Sequence, residues 1–262
     1  MIKKVAVKRF KNLNDITIFL DKVNLIVGTN NSGKSSFLQA IQFAVSVAQT
    51  TVLEPNARWT DDRLPTSIAS SQLVYSPLRD VSALAPGGYL REAIDHAIVI
   101  SFEEEETGYV TTITVRKGRN KNLVVSIDGR NLGERLQNIE QPFRIYVPGL
   151  AGIPTIEEYK TPGIVRKAAA RGDANNVFRN ILWLLKQDKH SWEQFVFDFQ
   201  YVFPDMEIDV DFNPERDEVI TATIMFDGLE LPIDAAGTGV LQAIQILSYI
   251  NLNFESTLSS IN

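Results

Sequence analysis

The residues best suited to chemistry form a glycine-rich run, Gly28-Thr29-Asn30-Asn31-Ser32-Gly33-Lys34-Ser35-Ser36. Its G-x-x-x-x-G-K-S pattern suits phosphate binding, because the glycines allow a tight turn and the following helix directs its positive dipole end at the phosphates. In such a loop the lysine neutralises the β- and γ-phosphates and the next hydroxyl binds Mg²⁺. Residues 28–36, the phosphate loop below, therefore predict a site for a nucleoside triphosphate with Mg²⁺. We expect the nucleotide contacts to come from Gly28, Asn30, Asn31, Ser32, Gly33, Lys34, Ser35 and Ser36, with Ser35 also a metal ligand.

The flanks of the phosphate loop fit this mechanism better than they fit a glycine-containing surface turn. An apolar run, residues 23–27, precedes the loop and predicts a buried strand that enters it. An amphipathic helix is expected after the loop. Its apolar stripe comprises Phe37, Leu38, Ile41, Ala44, Val45 and Ala48.

Composition limits the class of protein. The chain has 262 residues, 44% of them hydrophobic, which is enough for a substantial core. Because it has no cysteine, disulfides and thiolate metal sites are excluded. No apolar run reaches membrane-spanning length and the N-terminus lacks the apolar core of a signal peptide, so we expect a cytoplasmic protein with no membrane partner.

Net charge argues against a globally basic nucleic-acid binder, since the formal value is −6. Two local basic patches could still serve a DNA path, although a solvated face is the commoner meaning of such patches. They comprise Lys3, Lys4, Lys8, Arg9 and Lys11 in the first, and Arg166, Lys167 and Arg171 in the second.

Hydrophobic periodicity predicts a mixed α/β chain. Antiparallel strands are expected before the phosphate loop, and a long irregular segment is expected at about 50–88. Further strands are predicted at 97–102, 109–115, 123–127, 143–147, 206–212 and 218–226. Helices are predicted over about 156–202 and 237–250.

These elements carry a family resemblance. The opening Lys8-Arg9-Phe10-Lys11-Asn12-Leu13, followed within twenty residues by the phosphate loop, resembles the N-terminal part of ABC-type ATPase heads of the SMC, RecF and OLD group. In that group an aromatic residue of the first strand is followed by a basic residue, and the loop reads G-x-N-x-x-G-K-S. This chain departs from the group at Asn31, where glycine is usual. Asparagine tolerates a left-handed backbone better than other non-glycine residues, so the loop should still close.

The resemblance implies a fold and its division. It implies an α/β P-loop NTPase, ABC-ATPase-like, with an antiparallel β subdomain and an inserted helical lobe, all in one ATPase-like domain over 1–262. The β subdomain and phosphate loop would occupy about 1–50, a β insert about 97–128, the helical lobe about 155–203 and a signature segment about 234–250.

The resemblance also implies roles for residues outside the phosphate loop. Gln72 stands where such heads carry a glutamine that meets Mg²⁺ and the attacking water, although a plain surface glutamine is an equal alternative. The run Asp234-Ala235-Ala236-Gly237-Thr238-Gly239-Val240-Leu241-Gln242 looks like the signature segment, whose helix start would meet the γ-phosphate of a nucleotide held by a second subunit. Thr238 and Gly239 would make that contact, and Lys11 would reach the nucleotide from its own subunit. A helix simply capped by Asp234 is the alternative.

No catalytic residue can be assigned from the sequence. Members of the group continue from the signature helix into an apolar strand that ends in Asp-Glu, the Walker B half of the site. The residues after Ile250 contain no such pair. We therefore expect a C-terminally incomplete ATPase domain, and whether this chain hydrolyses ATP stays open.

Three functions are compatible with the motifs. The first is an ATP-binding ABC-type ATPase head that forms a homodimer or higher homo-oligomer around nucleotide and acts on DNA or on a partner or fused effector, in repair or phage defence. The second is a nucleotide-gated scaffold that does not hydrolyse ATP. The third, a signalling GTPase, fits D-x-x-G at 234–237, but Leu123 stands where the guanine-reading aspartate is required.

Overall fold

The computed structural model describes residues 1–119, 122–139, 152–170 and 173–252. The chain divides into two compact units, Met1–Arg144 and Ile145–Asn262. The resemblance implies one domain over 1–262, with the helical lobe and the signature segment inside it. Both of these regions fall within the second unit.

The first unit is built on a six-stranded antiparallel sheet. Its strands are β1 (Ile2–Phe10), β2 (Leu13–Phe19), β3 (Arg63–Ala69), β4 (Ile98–Glu104), β5 (Val110–Lys117) and β6 (Asn122–Asp128). Their spatial order is β2-β1-β4-β5-β6-β3. Two helices, α1 (Lys34–Val52) and α2 (Arg130–Gln137), pack against the apolar face of this sheet. The antiparallel β subdomain and the mixed α/β class predicted from the sequence are confirmed.

The helix that follows the phosphate loop is more enclosed than its sequence predicts. An amphipathic helix should leave one face in water, yet α1 is buried on all sides from Ala40 to Thr51. Its polar side chains are bonded: Ser46 Oγ donates to Tyr75 O (2.8 Å) and accepts from Tyr75 N (2.6 Å), while Thr50 Oγ1 accepts from Val74 N (3.1 Å). Of the predicted apolar stripe, Leu38 alone is exposed.

The expected strand before the phosphate loop is absent. Residues 23–27 form no strand, and within the described parts of the chain no strand pairs with them. The side chains of Val23, Leu25 and Val27 are 89%, 87% and 77% exposed. The prediction of a buried strand here is therefore wrong, because a strand is stabilised by its neighbours and local hydrophobicity cannot supply them.

A strand also appears where an irregular segment is predicted. Strand β3 lies within residues 50–88 and pairs antiparallel with β6, Pro65 standing opposite Ser126. Proline cannot donate to a β ladder and weakens the sequence signal for a strand. It is tolerated here because β3 is the edge of the sheet.

The second unit combines four helices with a small sheet in its described part. The helices are α3 (Pro162–Ala170), α4 (Phe178–Lys186), α5 (Lys189–Val202) and α6 (Thr238–Leu252). The strands β7 (Met206–Asp211), β8 (Thr221–Phe226) and β9 (Leu229–Pro232) form an antiparallel sheet in that order. The predicted helices and the first two strands are confirmed, whereas β9 is not predicted. The strand predicted at 143–147 lies outside the described residues.

Candidate nucleotide site

The phosphate loop ends at the first turn of α1. Gly33 is the N-cap residue with φ 99°, and no side chain caps this helix end. The α1 N-terminus therefore leaves its first amides without a side-chain acceptor, as a phosphate site requires. The predicted junction of loop and helix is confirmed at Lys34.

Backbone geometry explains two residues of the loop. Gly33 has a left-handed φ, and a Cβ built on it would lie 2.8 Å from Leu13 Cδ2. A side chain at this position would thus be strained by both the backbone and the neighbour. Asn31 has φ 64°. The expectation that asparagine accepts the left-handed conformation at this departure from the group is confirmed.

Lys34 lies across the loop that precedes it. Its Nζ donates to Gly28 O (2.7 Å) and to Thr29 O (2.6 Å), and Ser32 Oγ is 3.5 Å away. All of these acceptors are uncharged loop atoms. The ammonium group is therefore held at the mouth of the loop without a carboxylate partner in the described chain, so a phosphate could become its counter-charge.

The β1–β2 turn supports the phosphate loop from one side. Lys11 has φ 53°, and its Nζ donates to Gln39 Oε1 on α1 (2.6 Å). Asn12 Nδ2 donates to Asn31 O (3.2 Å). Burial lowers the pKa of Lys11, because desolvation disfavours the charged ammonium group. The structure thus brings Lys11 to the first turns of α1 and adds Asn12 and Gln39, which the sequence did not single out. Contact of Lys11 with the nucleotide stays a prediction.

Gln72 follows β3 in the first unit. Its Oε1 accepts a hydrogen bond from Ala69 N (2.9 Å). The chain just after it is bonded to α1, through Val74 N to Thr50 Oγ1 (3.1 Å) and Tyr75 N to Ser46 Oγ (2.6 Å). The role of Gln72 as a magnesium ligand stays a prediction.

The first basic patch is mostly neutralised within the chain. Lys3 and Lys4 pair with Glu103, Lys3 Nζ lying 2.9 Å from Glu103 Oε1. Lys8 Nζ lies 3.1 Å from Asp15 Oδ2. In the second patch, Arg166 and Lys167 lie on α3, whereas Arg171 is outside the described residues. Paired lysines on β1 leave less free positive charge for a DNA backbone than their number suggests.

The signature segment opens α6 in the second unit. A short 3₁₀ turn, Ile233–Ala235, precedes the helix, which begins at Thr238. Gly237, Thr238 and Gly239 are exposed. A Cβ built on Gly237 or Gly239 would meet no atom within 4 Å, and neither residue has a positive φ. Nothing in the described chain therefore requires glycine at these two positions.

The turn before α6 is held by a buried arginine. Arg179, on α4, is 4% exposed in its side chain and pairs through Nη2 with Asp234 Oδ1. Its Nη1 donates to Pro154 O (2.6 Å). Neither Arg179 nor its neighbour Glu157 is singled out by the sequence, because no local motif surrounds them.

The described residues contain neither a cluster of metal ligands nor a membrane-spanning helix. Within the described residues, no group of three or more histidines, cysteines, aspartates or glutamates is arranged to hold a metal ion. Nor does any described helix have the length and apolarity to cross a membrane.

Comparison with known proteins agrees with this geometry. Residues 1–110, which include the phosphate loop, match the AAA ATPase domain family. Among solved structures, the chain is similar to the Smc head domain of Pyrococcus furiosus, which was crystallised with an extended coiled coil bound to the C-terminal domain of ScpA. The identity is 12% and the TM-score 0.52, over 97% of this chain and 79% of that one. The family match and the shared fold together confirm the resemblance predicted from the sequence, to an SMC-like P-loop ATPase of the AAA/ABC type.

Proposed function

We propose that this chain is an ATP-binding head whose nucleotide site promotes association with a second copy and thereby controls a partner or effector. The observation that carries the proposal is the phosphate loop. It ends in an α1 N-terminus without a side-chain cap, beside a lysine that lies on neutral acceptors.

The residues of the loop fit Mg·ATP by their chemistry. The amides of residues 28–36 and Lys34 would hold the β- and γ-phosphates, and the Ser35 hydroxyl would bind Mg²⁺. Lys11, beside Gln39 on α1, would add a second cation from the β1–β2 turn. Bound Mg²⁺ supplies charge neutralisation between the phosphates, and the protein's own contribution is positioning and electrostatic stabilisation.

The signature segment supports association through nucleotide. Its glycines face open space in the described chain, and small residues at an exposed helix start allow close approach of an anion from another molecule. We propose that Thr238 and Gly239 contact the γ-phosphate held by a second copy. Coupling of this association to a DNA-acting partner, in repair or phage defence, follows the resemblance to the SMC, RecF and OLD group.

Calorimetry of Mg·ATP binding tests the nucleotide site. Lys34→Ala should weaken binding at least about tenfold, the lower end of the 1.5–3 kcal/mol typical of hydrogen bonds to charged groups. Lys22→Ala is the matched control, since Lys22 is an exposed lysine outside the loop. ATP should bind in preference to GTP because the guanine-reading motif is absent from the sequence. Equal ATP affinity of the wild type and Lys34→Ala would refute the site.

Light scattering tests the association. The wild-type mass should rise when a slowly hydrolysed Mg·ATP analogue saturates the site, because a ligand shifts a monomer–dimer equilibrium only by its differential affinity for the two states. An unchanged mass at saturation would refute association while leaving the nucleotide site intact. Phosphate release under the same conditions separates an ATPase from a scaffold that does not hydrolyse ATP.

A further inference from the structure

We infer that Arg179 is the positioning residue of the signature segment, acting through Asp234 to fix the direction of the α6 N-terminus. The functional part of this inference rests on the proposed association through nucleotide. The positional part concerns this chain alone and can be tested without a second copy.

Arg179 joins two segments that are far apart in sequence. Its Nη1 bonds to Pro154 O and its Nη2 to Asp234 Oδ1, while Glu157 Oε2 lies 3.7 Å from Nη1, beyond hydrogen-bond distance. The guanidinium is planar and carries several donors in fixed directions, so it can hold separate acceptors at one geometry. Asp234 is thus fixed relative to α4.

Glu157 forms a buried ion pair with Arg179 but accepts its own hydrogen bonds from donors other than the guanidinium. Its Oε2 accepts from Arg179 N (2.9 Å), and its Oε1 accepts from Asn180 N (2.8 Å) and Asn180 Nδ2 (2.7 Å). The carboxylate therefore sits on the N-terminal amides of α4, where the helix dipole favours negative charge. The side-chain donors of Arg179 remain committed to Pro154 and Asp234.

The signature segment offers few other attachments. Between β9 and α6, Ile233 is fully buried, while the following residues 235–239 are alanine, glycine and threonine. Alanine and glycine carry no side-chain group that could form an ion pair or hydrogen bond. Ile233 and Ala236 attach the turn to the core by apolar packing, and Asp234 attaches it through the ion pair with Arg179, which is the directional contact.

Burial makes this contact sensitive to change. The Arg179 side chain is 4% exposed, whereas that of Asp234 is 36% exposed. Replacing Arg179 would leave space and unpaired acceptors in the interior and could unfold the unit. Replacing Asp234 changes the same contact from its solvent side, so Asp234→Asn is the better probe.

Hydrogen exchange of the wild-type chain without nucleotide tests the positional part. In Asp234→Asn the amides of Ala236, Val240 and Leu241, which are hydrogen-bonded in the wild type, should exchange at least about tenfold faster, as expected when a charge-assisted bond is lost. Asp234→Glu, which keeps the carboxylate, should recover most of the protection. Asp209→Asn is the matched control, because Asp209 forms an exposed ion pair with Lys186 in the same unit. Unchanged exchange in Asp234→Asn would overturn the inference.

Light scattering with the Mg·ATP analogue tests the functional part. Asp234→Asn should associate at least about tenfold more weakly than Asp209→Asn, with equal Mg·ATP affinity and a similar thermal midpoint. Association equal to the control would overturn the positioning role. If the wild type itself did not associate, the proposed function would fail, and the exchange result would still decide whether Arg179 positions the segment.

Discussion

The phosphate loop and the signature segment both contain glycines and both precede a helix, but the surrounding chain requires glycine only in the phosphate loop. In the phosphate loop, Gly33 is required by the chain itself, through its φ of 99° and the nearby Leu13 side chain. In the signature segment, Gly237 and Gly239 have ordinary backbone angles and open surroundings. The described chain therefore leaves room beside Gly237 and Gly239, and we propose that another molecule approaches there.

From this difference we expect the phosphate loop to bind within one chain and the signature segment to bind between two copies. The loop is supported within the first unit by the turn at Lys11 and Asn12, and we propose that it holds phosphates without residues of a second copy. The start of α6 presents exposed small residues, and Arg179 positions it through the ion pair with Asp234. We therefore expect variants of the loop to affect stability and nucleotide affinity, and variants of the signature segment to affect association.

The largest expected effect comes from filling the open side of the signature segment. Gly239→Arg should weaken association through nucleotide about a hundredfold, because it places a long side chain where the proposed interface brings the γ-phosphate close to the backbone, and overpacking costs about 1–3 kcal/mol. ATP affinity should not change. Gly163→Arg is the matched control, since Gly163 also has open space and no positive φ. Analytical ultracentrifugation with the Mg·ATP analogue measures both, and equal loss in the two variants would contradict the assignment.

An intermediate effect is expected from adding one methyl group to each region. Gly33→Ala should lower the free energy of unfolding by about 1–3 kcal/mol, the typical cost of a strained backbone, with the Leu13 contact adding to it. Gly239→Ala should cause no loss, because its Cβ meets nothing and alanine favours a helix. Urea unfolding compares the two. Similar destabilisation by both would remove the distinction between the glycines.

The smallest effect concerns the position at which the loop departs from its group. Asn31→Val should lower the free energy of unfolding by about 1–2 kcal/mol, because a β-branched residue is poorly accommodated at φ 64°. Asn31→Gly should be neutral or slightly stabilising. Asn30→Val provides the control at a neighbouring exposed residue without a positive φ. Thermal unfolding of the three variants measures this, and an equal cost at Asn30 and Asn31 would argue against backbone strain.

The local sequence pattern was sufficient to predict an element when the physical cause of that element is local. Alternating apolar residues located β1, β4, β5 and β6, and helical periodicity located α4 and α5, because burial of one face imposes these periods on the sequence. The phosphate loop was recognised for the same reason, since its residues contact one another within nine positions. The left-handed conformation of Asn31 followed from the glycine that is usual at this place in the group and from the tolerance of asparagine for that backbone.

Sequence patterns failed to predict a feature when its physical cause lies in a distant part of the chain. Residues 23–27 have the composition of a buried strand, but a strand requires neighbours that local composition does not specify. The bonds of Val74 and Tyr75 to Thr50 and Ser46 of α1 were likewise not predicted, because no local motif marks residues that meet across 24 and 29 positions of sequence. Strand β3 was missed because Pro65 is acceptable only at the edge of a sheet, and sequence does not reveal which strand is the edge.

The sequence by itself determined the phosphate-loop motif, the mixed α/β class and the segments that open α1 and α6. Each depends on residue types at short spacing, where the backbone and a few side chains decide the geometry. The tertiary structure alone decided which residues support those segments. Lys11 meets Gln39, and Arg179 meets Asp234, across 28 and 55 positions of sequence. Such pairings depend on how whole elements pack, because a side chain's partner is chosen by the fold rather than by its neighbours in sequence.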